Sequence, residues 1–213
     1  MRQSRRAFLS ATLAGTASAV LSQSARAGIG LDGFKGAINA ADLGVVPDAA
    51  LDQTDLLQGI VDTVAKIGNP LYIPPGRYVV AGLRLPTGAH LVGAPGVSRL
   101  LLGKTGAAIR VEDAETVSLT GLTLEGLHQP ISAEEGLITA TDVADFVIDG
   151  CTITGASTYG VRLERCGGRI VDSAMSGCGE GAVMTNDATG LRISGNTISD
   201  CDNNGILVWR SAA

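Results

Sequence analysis

Apolar and polar positions recur in blocks of about two dozen residues from Ala108 onward. Four blocks open on a glycine followed by an apolar-rich run: Gly136-Leu137-Ile138-Thr139, Gly160-Val161-Arg162-Leu163, Gly181-Ala182-Val183-Met184 and Gly205-Ile206-Leu207-Val208. Four others end on Leu124, Ile153, Met175 and Ile198, which fall in one column at steps of 29, 22 and 23 residues. Short β-type runs at such a period, with no helical run between them, predict a stacked β-solenoid. Each coil buries its apolar side only against its neighbours.

Before the repeats the period changes. Leu56, Ile60 and Val64 recur at helical spacing with Leu57 and Val61 beside them, and Gly68 ends the run. Asp52 or Thr54 is placed to cap this helix, and Asp55 lies in its first turn, where the dipole favours negative charge. Short strands follow, Leu71 to Ile73, Arg77 to Val80, Leu83 to Leu85 and Ala89 to Val92, with Pro74, Pro75 and Pro86 confined to the turns. A solenoid exposes apolar core and strand edges at its ends, so the amphipathic helix is expected to plug the first coil. No such element follows the coil that begins at Gly205. The chain is therefore expected to be truncated at its C-terminal end or to pair that end with another chain.

The N-terminus reads as an address. Arg5 and Arg6 form a twin-arginine element in Ser4–Leu9, a moderately apolar stretch runs from Ala7 to Leu21, and Ala25-Arg26-Ala27 is a cleavage site ending at Ala27. The stretch is too short and too polar for a spanning helix, so no stable membrane anchor is expected. The twin-arginine translocation machinery is the implied partner, delivering a folded chain to the periplasm. Without residues 1–27 the chain keeps 12 basic against 21 acidic groups, a net of −9. That excess argues against a nucleic-acid partner. The 29 glycines suit frequent tight turns.

Ala41–Asp48, Asp52–Gln58, Leu71–Tyr78 and Leu85–Gly93 together resemble the opening of pectate-lyase-like right-handed parallel β-helix proteins. With the leader, the whole chain resembles the twin-arginine-translocated repeat family, which has no assigned reaction. The resemblance implies an all-β, right-handed single-stranded parallel β-helix with an N-terminal capping α-helix, and a periplasmic setting. The expected organisation is a signal peptide (1–27), a lead-in (28–51), the capping helix with the first strands (52–107) and the repeated coils (108–213). Enzymes of this fold cluster calcium-binding aspartates on consecutive coils, and this chain shows no such cluster.

Several patterns lack the context their chemistry needs. Gly28-Ile29-Gly30-Leu31-Asp32-Gly33 has no strand before it and no helix after it, and Gly103-Lys104-Thr105 lacks the glycine a phosphate loop needs at Ser98. His90 and His128 accompany no hydrolase or zinc-peptidase motif. His90 reads as a stacking residue, whereas His128 lies in the loop that lengthens its coil. Cys178 and Cys201 share a column on adjacent coils, within disulfide reach, but their apolar company favours stacked free thiols. Asp142 and Asp187 sit at matching turns, where calcium ligation and a hydrogen bond to the local backbone are the two readings and the second is the commoner. No metal site and no cofactor are expected.

The functional expectation rests on strand alternation. With Val161, Leu163, Met184 and Val208 inward, Arg162, Glu164, Thr185 and Trp209 point outward, and Asp187 and Arg210 lie at the strand ends. Glu164, Asp187 and Arg162 are the candidate catalytic groups, with the two carboxylates about 8–11 Å apart, at or beyond the limit of an inverting pair. Trp209, Arg210 and Thr185 are the candidate substrate-binding groups. An indole beside charged groups suits a polysaccharide, whose C–H faces stack and whose hydroxyls hydrogen-bond. The expectation is thus a protein that binds a polysaccharide, its reaction, if it has one, being that of a lyase, glycoside hydrolase or epimerase. The competing expectation is a non-catalytic envelope scaffold or protein-interaction solenoid.

Overall fold

The computed structural model describes residues 35–211, and the expected address at Arg5, Arg6 and Ala27 lies outside them. Seventeen strands and one α-helix follow in order among the described residues. They are β1 (Ile38–Asn39), α1 (Thr54–Ile67), β2 (Leu71–Ile73), β3 (Gly76–Val80), β4 (Leu83–Arg84), β5 (His90–Gly93), β6 (Ser98–Leu102), β7 (Ile109–Thr120) and β8 (Thr123–Glu125). After these come β9 (Gly136–Asp149), β10 (Thr152–Thr154), β11 (Tyr159–Glu164), β12 (Gly168–Val171) and β13 (Ala174–Ser176). The last four are β14 (Gly181–Asn186), β15 (Leu191–Ser194), β16 (Thr197–Ser199) and β17 (Asn204–Trp209).

All strand pairs are parallel and stack in register into three walls. Wall A holds β1, β2, β5, the later halves of β7 and β9, β12 and β15. Wall B holds β3, β6, β8, β10, β13 and β16. Wall C holds β4, the earlier halves of β7 and β9, β11, β14 and β17. Because β7 and β9 turn a corner without a break, walls A and C form one bent sheet of 11 strands and wall B a sheet of 6. The column Leu124, Ile153, Met175, Ile198 runs down wall B in register, as the repeat predicts, and Leu100 and Tyr78 extend it. Wall C stacks Leu83, Ile109, Ile138, Val161 and Val183 on the same principle. All five are fully buried, and burial stabilises by roughly 1.5–3 kcal/mol for each such side chain.

The helix covers the N-terminal end of this cylinder. Leu57, Ile60, Val61 and Val64 enter the core, and Gly68 ends the helix in the left-handed region at φ 73°. Leu56 stays exposed, one position off the expected stripe. The capping residue is Gln53, which makes no side-chain cap bond; instead Asp52 Oδ1 accepts from Thr54 N. Gln58 does the work of a missing strand. Its Oε1 accepts from Arg84 N at 2.8 Å and its Nε2 donates to Arg84 O at 2.8 Å, satisfying the open edge of β4. Nearby, Thr54 Oγ1 accepts from Ala81 N at 2.8 Å.

Candidate functional site

Alternation on wall C sends two columns outward. The first is Arg84, Arg110, Thr139, Arg162, Met184 and Leu207; the second is Glu112, Thr141, Glu164, Asn186 and Trp209. Beyond the second column the chain turns to wall A through one residue per rung. Asp113, Asp142, Arg165, Asp187 and Arg210 occupy these positions, all left-handed with φ between 45° and 55°. Trp209 is 54% exposed at the end of its column.

This register corrects the expectation for Thr185. Pairing joins Tyr159 to Gly136 and Gly181, so Gly160 lies one residue further along its rung than the other two glycines. Aligning the rungs on their glycines therefore slips β14 by one residue, and a one-residue slip exchanges the two faces of a strand. Met184 faces outward. Thr185 points into the core between Leu163 and Val208, 1% exposed, and its hydroxyl has no hydrogen-bond partner. It is no part of the outer surface, and Asn186 takes the place expected of it.

The other candidates lie on the outside but are not assembled as a catalytic pair. Glu164 pairs with Arg165, its chain neighbour, while Asp187 stands in the adjacent corner column. Arg165 also grips Asp142 with both arms of its guanidinium, Nε to Oδ1 at 2.6 Å and Nη2 to Oδ2 at 2.8 Å. That hydrogen bonding holds the Asp142 carboxyl below the usual range and raises Arg165. Arg162 reaches Glu134 at 3.1 Å. Arg210 lies one rung beyond Asp187 at the end of the corner column. Among the described residues no group of histidine, cysteine and carboxylate side chains is arranged to hold a metal ion. His90 sits on β5 opposite Ser118, and burial lowers its pKa.

The connection between β8 and β9 borders the surface. Gly106 N donates to Pro130 O on one side, while His128 N donates to Gly155 O and Ile131 N to Ser157 Oγ on the other. So fastened, the loop leans two consecutive glutamates over wall C. Glu135 takes Arg110 and Glu134 takes Arg162, straddling the rung of Thr139.

At the helix end the two columns open into a cleft of about 340 Å³ lined by Gln58, Asp62, Arg84, Leu85, Pro86, Arg110 and Glu112. Arg84 and Arg110 are opposite one another on adjacent strands. Sequence reasoning missed this site, although the signal was present. Leu83-Arg84-Leu85 and Ile109-Arg110-Val111 repeat the apolar-Arg-apolar pattern that singled out Arg162. The contribution of α1 and of Glu134 and Glu135 needed the tertiary structure.

A family model described as right-handed β-helix region matches residues 106–213, half of the chain. The chain belongs to the right-handed β-helix family. A second model, rhamnogalacturonase A/epimerase, pectate lyase-like, matches residues 37–103 of this β-helix. No curated protein matches it. Among solved structures it is similar to the N-terminal fragment of bacteriophage Phi29 gene product 12, at 15% identity and TM-score 0.66, covering 82% of this chain and 36% of that one. A surface adhesin of Streptococcus pneumoniae matches at 15% identity and TM-score 0.63, covering 79% and 51%. A candidate glycosyl hydrolase from Parabacteroides merdae matches at 15% identity and TM-score 0.53, covering 83% and 97%. The chain thus spans about half of the adhesin and about a third of the phage fragment. At such identities the likeness is one of fold.

Proposed function

We propose that this chain is an exported β-helix protein that binds an extended polysaccharide along the outside of wall C, from the cleft beside α1 to Trp209. The observation that carries the reading is the cleft, which joins two arginines, two carboxylates, an amide and the apolar surface of Leu85 and Pro86 in one concavity. Polar groups that take hydroxyls beside apolar groups that take C–H faces are what a sugar chain requires. The outward columns extend this surface rung by rung, at about 4.8 Å per step, to the indole. The β-helix likeness to a candidate glycosyl hydrolase supports a polysaccharide as the partner.

Binding is favoured over cleavage by the state of the carboxylates along the outward columns and their border. Glu134, Glu135, Glu164 and Asp142 each face an arginine, and Glu164 and Asp187 lie in different columns. Export rests on Arg5, Arg6, the apolar stretch after them and the cleavage site at Ala27. The twin-arginine machinery is its proposed carrier and the periplasm its destination.

The test is retention on an array of acidic and neutral polysaccharides, with the products assayed for new chain ends. Retention on one class without new ends is expected. Trp209→Ala should lose retention while its far-ultraviolet circular dichroism stays unchanged. Equal retention of both proteins refutes the wall C surface, and retention of neither on any glycan favours the scaffold reading. For export, the paired replacement of Arg5 and Arg6 by lysine should leave the chain in the cytoplasm, and periplasmic recovery of that variant refutes the route.

A further inference from the structure

Cys178 and Cys201 are the one pair of cysteines on matching positions of adjacent rungs among the described residues. Each lies two residues beyond a paired serine, Ser176 opposite Ser199, and each follows a left-handed residue, Gly177 at φ 62° and Asp200 at φ 53°. The rungs are tied at this level, since Asp202 N donates to Cys178 O at 3.0 Å. The side chains leave the backbone in the same sense. Cys178 Sγ lies 3.7 Å from Ser176 O, and Cys201 Sγ lies 3.5 Å from Ser199 O. Cys151 and Cys166 have no such neighbour. Cys151 is flanked by Leu122 and Ser173, and Cys166 by Val143 and Ala188. Both are buried.

From this geometry we infer that Cys178 and Cys201 form an inter-rung disulfide when the chain meets a small-molecule disulfide, stapling β17 to β14. Strand spacing of about 4.8 Å lies inside the roughly 4.4–6.8 Å Cα window of a disulfide, and the Cβ atoms need to close by under about 1 Å. Cys201 is half-buried and Cys178 buried, so the reagent meets Cys201 first. Burial, with Cys201 beside it, pushes the Cys178 thiol up to about 12, which makes Cys178 a poor opening nucleophile. The Cys201 thiolate attacks oxidised glutathione, forming a mixed disulfide and expelling one glutathione thiolate. The sulfur of Cys178, its proton passing to solvent, then attacks Cys201 Sγ and expels the second glutathione. Two protein thiols and one disulfide become one protein disulfide and two glutathione thiols. The bridge closes a loop over 22 intervening residues. Within that loop lies β14 with Asn186, and β17 with Trp209 follows it.

The proposal is independent of any ligand. The folded protein is incubated with oxidised glutathione, alkylated after unfolding, and mapped by mass spectrometry of non-reduced peptides. The expected product has lost two of its four thiols and yields a single cross-linked peptide pair joining Cys178 to Cys201, with Cys151 and Cys166 alkylated. Its unfolding midpoint should rise by about 5–10 °C over the reduced protein. Cys178→Ser should stop at the glutathione adduct on Cys201. Four unchanged thiols, a wild-type adduct on Cys201 that does not resolve, or a bridge through Cys151 or Cys166 would overturn the pairing. A bridged chain that melts no higher than the reduced one would overturn its role as a staple.

Discussion

Two corners of this solenoid make the same backbone turn with different residues. Between walls A and B the left-handed positions are Gly121, Gly150, Asp172 and Gly195, at φ 50–69°. Between walls C and A they are Asp113, Asp142, Arg165, Asp187 and Arg210. Glycine adopts this conformation freely, and aspartate tolerates it. Arginine does neither, and a side chain held there costs on the order of 1–3 kcal/mol. The chain nevertheless carries a charge at every rung of the second corner, beside the surface proposed to bind. The first corner, remote from that surface, is mostly glycine. A strained backbone position that keeps a long charged side chain points to a requirement for the side chain itself. Here Arg165 holds both Asp142 and Glu164.

The largest effect separating the corners is steric. A Cβ on Gly168, three residues past Arg165, would lie 2.2 Å from Phe146 O and 2.5 Å from Phe146 N. Neither backbone atom can yield without breaking the register of wall A, so Gly168→Ala should cost at least about 3 kcal/mol by chemical denaturation. A Cβ on Gly150 meets nothing within 4 Å. Gly150→Ala should cost about 1 kcal/mol, from φ alone. Equal losses would show that the glycine corner is as crowded as the charged side.

The register that brings the charged corner to the edge of wall C also turns Thr185 inward. Thr185→Val replaces an unpartnered buried hydroxyl by a methyl, and the unfolding free energy should rise by about 1 kcal/mol. A loss of stability would return Thr185 to the outside and shift the charged columns by one residue. At the corner itself the ion pairs are exposed, so Arg165→Gly should leave the denaturation midpoint nearly unchanged, relief of strain offsetting the lost pairs. A clear fall in that midpoint would make the arginine a structural element of the turn.

The smallest effect is titration. Arg165 lowers the Asp142 carboxyl below its model-peptide value of 3.8. The contribution is therefore complete above that value and is lost as pH falls through the lower, folded value. A carbon-detected titration should show Asp142 below 3.8, returning towards it in Arg165→Gly. Identical titration in both proteins would dissolve the pair.

How far these features were legible in the residues follows from what sets each one. The wall B column was plain because Leu124, Ile153, Met175 and Ile198 are large, apolar and regularly spaced. The edge of the helix stripe was less so, since Leu56 and Leu57 are chemically alike and only packing buries one of them. On wall C glycine was a poor marker of register. Gly136 and Gly181 stand opposite Tyr159, not Gly160, and the slip misplaced Thr185 while leaving Arg162, Glu164 and Trp209 outside. The cleft went unread because Gln58 and Asp62 lie more than 20 residues before Arg84 in sequence and join it only in the fold.

The outer surface of wall C as a polysaccharide track is tested most directly by the emission of Trp209, the chain's one tryptophan. Titration with the polysaccharide retained on the array should change that emission saturably, and Arg110→Ala, at the far end of the track, should weaken the midpoint by about tenfold, or roughly 1.4 kcal/mol. Saturable binding that leaves the indole emission unchanged and is indifferent to Arg110→Ala would place the ligand elsewhere and contradict the account.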